Sequence, residues 1–352
     1  MTTSQPDFLL NKPGALIAAL PAVLGFVPEQ SLVLISIERG AMGSVLRVDL
    51  SPQLTDTTHQ IAEVAAAARP DAAIAVIVDA AGARCPLCAD DHRELASALT
   101  QSLAAQGITL WAVHVVDRVA RGGLWHCVDG CGARGKVDDP SASPLAVAAV
   151  LDGRRLYARR ADLEMVIAVT DDSRGDAVAE LIRRHLPACE SDRREDPDGC
   201  SRRGVQDAIA VAGHVAQGRE LTDSELARMA CALTDIRVRD TLYGLAVGEN
   251  AAQAESLWAA LSRAVPNPWR AEPLVLLAFS AYSRGDGPLA GIALEAALRC
   301  DPAHRMAGML DTALQSGLRP ERIRELAVSS YRLADQLGVQ LPPRHGFGRH
   351  AC

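Results

Sequence analysis

The sequence predicts an α/β fold, with a mixed, largely parallel sheet and flanking helices, followed by an all-α domain of repeat-like helical hairpins. Three observations carry that reading. Apolar runs of strand length, Ser31–Glu38, Ala72–Asp79 and Ile108–Arg118, alternate in the first half with segments of helical spacing. The second half reads as helical throughout. Within it, Ala254, Trp258, Leu261 and Pro266 recur 36 positions later as Ala290, Leu294, Ala297 and Pro302.

Ser31–Glu38 is almost continuously apolar and Ser44–Leu50 alternates, with Arg39 and Gly40 opening the turn between them, so a β-hairpin is expected. Leu54–Arg69 has helical spacing and stops before Pro70. Ala72–Asp79 reads as a buried strand, Asp90–Gln106 as a helix closed by Gly107, and Ile108–Arg118 as the next strand, with Gly122–Val128 folding back on it. Strands separated by helices imply crossovers and a parallel core, to which the two hairpins add antiparallel members. Alanine-rich segments at Pro144–Leu151, Ala161–Val169 and Gly175–Leu186 are expected to cover the sheet.

Residues 188–203 are polar, highly charged and interrupted by Pro197 and Gly199, which predicts a linker between an α/β domain over 1–187 and a helical domain over 204–341. The recurring pattern in that second domain pairs small residues with a larger apolar one and a terminating proline. It resembles half of a tetratricopeptide repeat, and Leu274, Leu277 and Ala278 fall where the first helix of such a unit needs them. An unrelated alanine-rich bundle fits the same pattern. The tail over 342–352, rich in Gly, Pro and Arg, reads as disordered.

With 352 residues, 49% of them hydrophobic and 22% charged, the chain can bury a sizeable core without staples. A net charge of −7 argues against broad affinity for nucleic acid or an anionic membrane, since both require clustered positive surface. Aromatic and basic residues do not interleave as single-stranded nucleic acid requires. The first residues lack a basic leader region, and the apolar stretch from Gly14 to Val27 is short and broken by Pro21, so a cytoplasmic protein without a membrane span is expected.

Nine cysteines in a reducing compartment, unevenly spaced, are thiols or ligands rather than a disulfide framework. Two pairs stand out: Cys85 with Cys88, and Cys127 with Cys131, the latter preceded by His126. Together they supply the four tetrahedral ligands of a zinc site, with His126 as a substitute for one thiolate. A regular hairpin places Cys127 opposite His114 or Val115 and leaves the two pairs on the order of 15 Å apart at about 3.3 Å per residue. A curled hairpin, which Gly122, Gly123, Gly130 and Gly132 permit, brings them together. Free thiols are the alternative, and a redox dithiol at Cys85 and Cys88 is a third reading.

A second constellation follows from topology. Asp49, Asp79 and Asp117 each end a predicted strand, and open α/β sheets bind ligands beyond the carboxyl ends of strands. Three carboxylates there suit a divalent metal and a phosphorylated ligand, with Arg47 or Arg118 facing the anion. Aspartates at strand ends also cap turns, which is the competing explanation. The phosphate loop, the dinucleotide-binding glycine fingerprint, the serine nucleophile elbow and the zinc-protease helix are absent from the sequence. His92, His185, His214 and His304 fall on predicted helices and read as solvated or capping.

The string Pro21-Ala22-Val23-Leu24-Gly25-Phe26-Val27-Pro28, followed by Ser31-Leu32-Val33, resembles the opening of the actinobacterial family called domain of unknown function 4192. Arg47 and Asp49, Trp125 with Cys127 and Cys131, Ser143-Pro144, Arg239-Asp240, Gly285-Asp286-Gly287 with Ala290, and Asp301-Pro302 extend the resemblance over nearly the whole chain. Cys85 and Cys88 fall outside its general pattern. The resemblance implies a soluble cytoplasmic protein and brings no activity, ligand or catalytic residue with it. Residues and resemblance together point to a non-enzymatic interaction or scaffold protein whose helical domain meets a protein partner, with a structural zinc site at the cysteine pairs standing as one reading beside free thiols. The alternative is an enzyme or small-ligand binder using the strand-end aspartates.

Overall fold

A computed structural model describes residues 12–67, 69–85, 88–151 and 155–344. Among them the chain opens with a helix, α1 (Pro13–Leu24), over most of the apolar stretch that Pro21 interrupts. Pro13 occupies a first-turn position whose N–H needs no helical partner, and Gly25 ends the helix at φ 76° with its N–H on the Pro21 carbonyl. Residues Leu16 to Ala22 are buried without interruption, so the helix has no polar face and its periodicity cannot be read. Phe26 follows, buried and bridged to Tyr157.

β1 (Ser31–Glu38) and β2 (Ala41–Asp49) form the expected hairpin. Its turn residues Arg39 and Gly40 both have positive φ, as a two-residue turn matched to strand twist requires. α2 (Thr58–Ala66), β3 (Ala72–Val78), α3 (Cys88–Ala105), β4 (Thr109–Val116), β5 (Leu124–Cys127) and β6 (Arg134–Lys136) complete the sheet region. α4 (Pro144–Leu151) and the short α5 (Arg160–Glu164) follow, the latter ending well before Val169.

The strand order is β2-β1-β3-β4-β5-β6. Only β3 and β4 pair in parallel; every other neighbouring pair is antiparallel, which corrects the expectation of a largely parallel sheet. β3 does not join β1 through a parallel crossover. It lies antiparallel beside β1, and α2 carries the chain from β2 past β1 to reach it. One face of the sheet, with Leu32, Leu34, Ala73, Ala75, Ile77, Val113 and Val115, packs against Ile61, Ala62 and Ala65 of α2 and Leu95, Leu99 and Leu103 of α3. Val33, Ile35, Ile74, Val76 and Val116 on the opposite face are buried as well.

The chain divides into two compact units, Met1–Leu163 and Glu164–Cys352. The boundary therefore lies before the stretch expected as a linker, and residues 188–203 are helical apart from Asp196. α6 (Asp172–Glu195) runs through the first part of that stretch, and α7 (Pro197–Ala216) takes up the rest. The Asp-Pro-Asp-Gly string is a helix junction: Asp196 accepts from the Gly199 N–H at 2.9 Å and Pro197 occupies the first turn. α6 belongs to the second unit, where it packs on α8 (Asp223–Leu233).

α9 (Ile236–Leu242), α10 (Ala251–Ala264), α11 (Ala271–Ser283), α12 (Gly287–Cys300), α13 (Arg305–Gln315) and α14 (Pro320–Leu337) complete an all-helical unit. Ala254, Trp258 and Leu261 on α10, and Ala290, Leu294 and Ala297 on α12, are all buried, with α11 packed against both helices. Pro342, Pro343 and Arg344 are held by the Tyr331 hydroxyl, the Glu249 N–H and a bridge to Gly248, so the expected disordered tail does not begin at 342. Its remainder, 345–352, lies outside the described residues.

These boundaries make a prediction. A fragment beginning at Glu164 is expected to be helical and to melt cooperatively, whereas one beginning at Gly204 loses the buried Val178, Ala179 and Ile182 of α6. At about 1.5–3 kcal/mol for each large apolar side chain, that loss removes a sizeable part of a typical stability of about 5–15 kcal/mol. Circular dichroism melts of the two fragments check it, and an unfolded longer fragment would show that the division after Leu163 is not one of stability.

Candidate functional site

β2, β3 and β4 point the same way, and their register, Asp49 opposite Ser31, Ser31 opposite Val78 and Val78 opposite Val116, sets Asp49, Asp79 and Asp117 along one edge of the sheet. Asp79 and Asp117 end neighbouring strands, about 4.8 Å apart, while Asp49 is separated from Asp79 by β1, about 10 Å away. Each carboxylate has local partners. Asp79 Oδ1 accepts from the N–H groups of Gly82 at 2.8 Å and Ala81 at 3.2 Å, and its Oδ2 lies 3.0 Å from His92 Nε2. A Cβ at Gly82 would stand 1.9 Å from Asp79 Oδ2, so this cap requires glycine there.

Asp117 Oδ1 accepts from the Leu124 N–H at 2.8 Å, closing the turn into β5, and its Oδ2 meets Arg118 at 3.2 Å. Asp49 is exposed and pairs with Arg47 at 2.5 Å. The Arg47 side chain is only 10% exposed. Its Nε donates to Ser31 Oγ at 2.8 Å, another nitrogen to the Glu29 carbonyl, and its guanidinium lies 5.9 Å from the centre of the Phe26 ring. It joins the chain after α1 to the β1–β2 hairpin.

Burial would raise the Asp79 pKa, but the bonds from Gly82, His92 and Ala81 outweigh it and hold the carboxyl below its ordinary value. His92, read from sequence as a helix histidine without a partner, is thus tied to a strand-end carboxylate. Nothing in the spacing reveals that pair, because Asp79 and His92 meet only once α3 packs on the sheet.

The cysteines separate into two groups. Cys85 follows β3 and Cys88 opens α3, on the side of the sheet that α3 covers; Pro86 and Leu87 between them lie outside the described residues. The Cys88 thiol is hydrogen-bonded to Cys85, which raises its pKa, and Asp79 and Asp91 add to the effect. A redox dithiol at a helix N-terminus needs the opposite shift.

Cys127 lies opposite His114 in the β4–β5 register, while His126 lies opposite Val115 and therefore points to the other face, where His92 is near enough to depress its pKa further below what burial imposes. His126 is therefore unsuited as a substitute ligand beside Cys127. Among the described residues, the group whose ligand atoms all lie within 4.8 Å of one another is Cys127, Asp129 and Cys131, without Cys85 or Cys88. The four-thiolate set is not assembled, because the strand alternation that places Cys127 with His114 turns it away from α3.

Hydrogen bonds from the Cys131 thiol and backbone N–H, and from the Cys127 thiol, bring the Asp129 carboxyl down to about 2. Burial and the Asp129 carboxylate push the Cys127 thiol up to about 12. His114 is buried, its edge against Trp125 with ring centres 5.3 Å apart, and its Nδ1 has no hydrogen-bond partner among the described residues. Burial lowers its pKa and Asp129 partly offsets that. The Cys127–His114 pairing is legible from the hairpin register; Asp129 is concealed because an aspartate before glycine reads as a turn residue.

The family model described as Domain of unknown function (DUF4192) matches residues 13–321. The chain belongs to this family. No curated protein and no solved structure matches it significantly. The DUF4192 strings noted above have structural roles here: Gly25 ends α1, Phe26 receives Arg47, and Asp286 caps α12 by accepting from the Leu289 N–H at 3.1 Å. Among the described residues, no helix is long and apolar enough to cross a membrane.

The Asp79 geometry predicts a pH-dependent cost. Asp79→Asn is expected to lose about 1.5–3 kcal/mol near pH 7, the range for hydrogen bonds to a charged group. Because the folded-state pKa is depressed, this contribution is complete above the ordinary carboxylate pKa and is lost as pH falls through the folded value. Urea unfolding of wild type and variant should therefore differ near neutrality and converge in acid.

Proposed function

We propose that this DUF4192 protein is a non-enzymatic interaction protein whose helical unit carries the surface that meets a protein partner. One observation carries the reading: Asp79 and Asp117 are engaged by their own turns and helices, and Asp49 by Arg47. Asp79 caps the turn to α3 and holds His92, Asp117 closes the turn to β5, and Arg47 is tied to Ser31, Glu29 and Asp49. Binding a divalent metal or a phosphorylated ligand there requires several oxygens directed at one point. Two features support the helical unit as the working surface. The buried small and large residues shared by α10 and α12 fit repeat-like hairpins, which stack to present extended binding faces. Ile236, Met309 and Leu326, at 61%, 57% and 52% exposed, are the side chains of this unit that a partner would cover, although Trp111 and Val150 of the first unit are as exposed.

A second reading, an enzyme or small-ligand binder, draws on the common edge of Asp49, Asp79 and Asp117 with Arg47 and Arg118 beside it. Calorimetric titration with magnesium, manganese and inorganic phosphate separates the two. No heat is expected. A wild-type signal weakened at least about tenfold, about 1.4 kcal/mol, in both Asp79→Asn and Asp117→Asn would favour the second reading. On the positive side, native mass spectrometry of protein purified from its own host is expected to show a retained protein partner, released by a charged substitution at Ile236, Met309 or Leu326. A partner kept by all three variants would overturn the assignment to the helical unit.

A further inference from the structure

The loop leaving β5 is built to converge. The Cys127 N–H bonds the Ala133 carbonyl at 2.9 Å, closing the loop at its base. Gly130 and Gly132, at φ 75° and 80°, both take the left-handed conformation that side chains resist, and so turn Cys131 back toward Cys127. Asp129 is fixed between them, its Oδ1 accepting the Cys131 N–H at 2.9 Å. Its other hydrogen bonds come from the Cys127 and Cys131 thiols, whose protons a metal ion displaces.

A second, independent observation comes from the neighbouring strand. Val128 donates to the Val113 carbonyl at 2.9 Å, which makes the next pair, His114 and Cys127, the non-hydrogen-bonded kind whose side chains approach most closely. His114 is 6% exposed, and its buried Nδ1 has no partner among the described residues. A buried imidazole nitrogen without a partner is unfavourable unless another group, a water or a metal satisfies it.

We propose that Cys127, Asp129 and Cys131, with His114 as the fourth ligand, hold one zinc ion that ties the β5–β6 hairpin to β4. The donor chemistry selects the metal: two thiolates and an imidazole suit zinc, whereas calcium and magnesium take oxygen ligands. The spacing suits it too. Tetrahedral bonds of about 2.3 Å to sulfur place two thiolates about 3.8 Å apart, so the ligand atoms of Cys127, Asp129 and Cys131, all within 4.8 Å of one another, need to close by no more than about 1 Å, while His114 lies outside that group and must close further from its place opposite Cys127. Asp129 and Cys131 are exposed, which leaves the metal a path from solvent. The strands concerned are short, four residues in β5 and three in β6, and such a ribbon gains most from a cross-link. Binding displaces the two thiol protons to solvent, so the ion is held by two thiolates, one carboxylate and a neutral imidazole.

The test is metal binding by the full chain, stripped with a chelator under reducing conditions and titrated with zinc and with cobalt(II) against a chromophoric competitor. One equivalent is expected, and the cobalt form should show the visible bands of a tetrahedral thiolate complex. Cys131→Ala, at an exposed loop position, should abolish those bands. Asp129→Asn and His114→Gln should each weaken zinc at least roughly tenfold. Cys88→Ser should bind as wild type does. Melting curves of the metal-free variants separate lost ligation from lost folding, with exposed Asp129→Asn as the variant least able to disturb the core. The proposal is overturned if wild type binds neither metal, if Cys131→Ala binds as tightly as wild type, or if Cys88→Ser loses the ion. The last outcome would place the metal on the four-thiolate set. Unchanged affinity in His114→Gln would overturn the fourth ligand.

Discussion

β1 and β3 are buried on both faces of the sheet, and most of the first unit follows from that constraint. A strand enclosed on both sides must satisfy every backbone polar group within the ladder and needs a covering layer above and below. α2 and α3 supply one layer. The chain moves from β2 past β1 to β3 and then to β4, always in the same direction across the sheet. Crossovers of one hand that progress in one direction put their helices on one face, which is where α2 and α3 are found. The opposite face is left to elements outside the crossovers. Phe26, following α1, meets Arg47 there, because Arg47 pairs with Val33 on that face.

The same path bears on function. Open α/β sheets bind ligands where successive crossovers leave in opposite directions and the strand ends open a crevice. Between β2, β3 and β4 the direction does not reverse, so the edge with Asp49, Asp79 and Asp117 lacks that opening among the described residues. Asp79 and Asp117 are left to cap the turns that the topology requires, and Asp49 pairs with Arg47. Chemistry of a different kind gathers instead at the β5–β6 hairpin, where a pair of thiols, a carboxylate and an imidazole from β4 share one side.

Sequence made the element boundaries legible where burial was extreme or alternation clear. Ser31–Glu38 and Ala72–Val78 stand out as apolar runs, and the Arg39-Gly40 turn follows from the change to alternation after it. Strand direction was hidden in those same runs, since residues buried on both faces carry no period-two signal to distinguish a crossover from a neighbouring antiparallel strand. α1 was hidden for a related reason: it is buried all round and contains Pro21. The false linker over 188–203 arose from reading Pro197 and Gly199 as breakers, whereas Asp196 before Pro197 is the signature of a helix start. At the site, hairpin register placed Cys127 against His114, but the Asp79–His92 pair depends on how α3 packs, which spacing along the chain does not encode.

In the second unit, largely buried ion pairs link neighbouring helices. Arg284, only 18% exposed, makes two bonds of 2.8 Å to Glu255 on α10 and a third contact of 3.0 Å to Asp286. Asp286 in turn caps α12, so one arginine couples the packing of α10 to the turn between α11 and α12. Such a triad adds little net stability once desolvation is counted, yet breaking it leaves a buried charge uncompensated, so it disfavours other registers of these helices. Arg239, bonded to Glu272 on α11 with His304 3.3 Å from the same carboxylate, does the same between α9, α11 and the start of α13. Helices locked in register by buried charge present their outer side chains in a fixed arrangement, and the partner surface proposed above would gain from that preorganisation, because ordering it on contact would cost affinity.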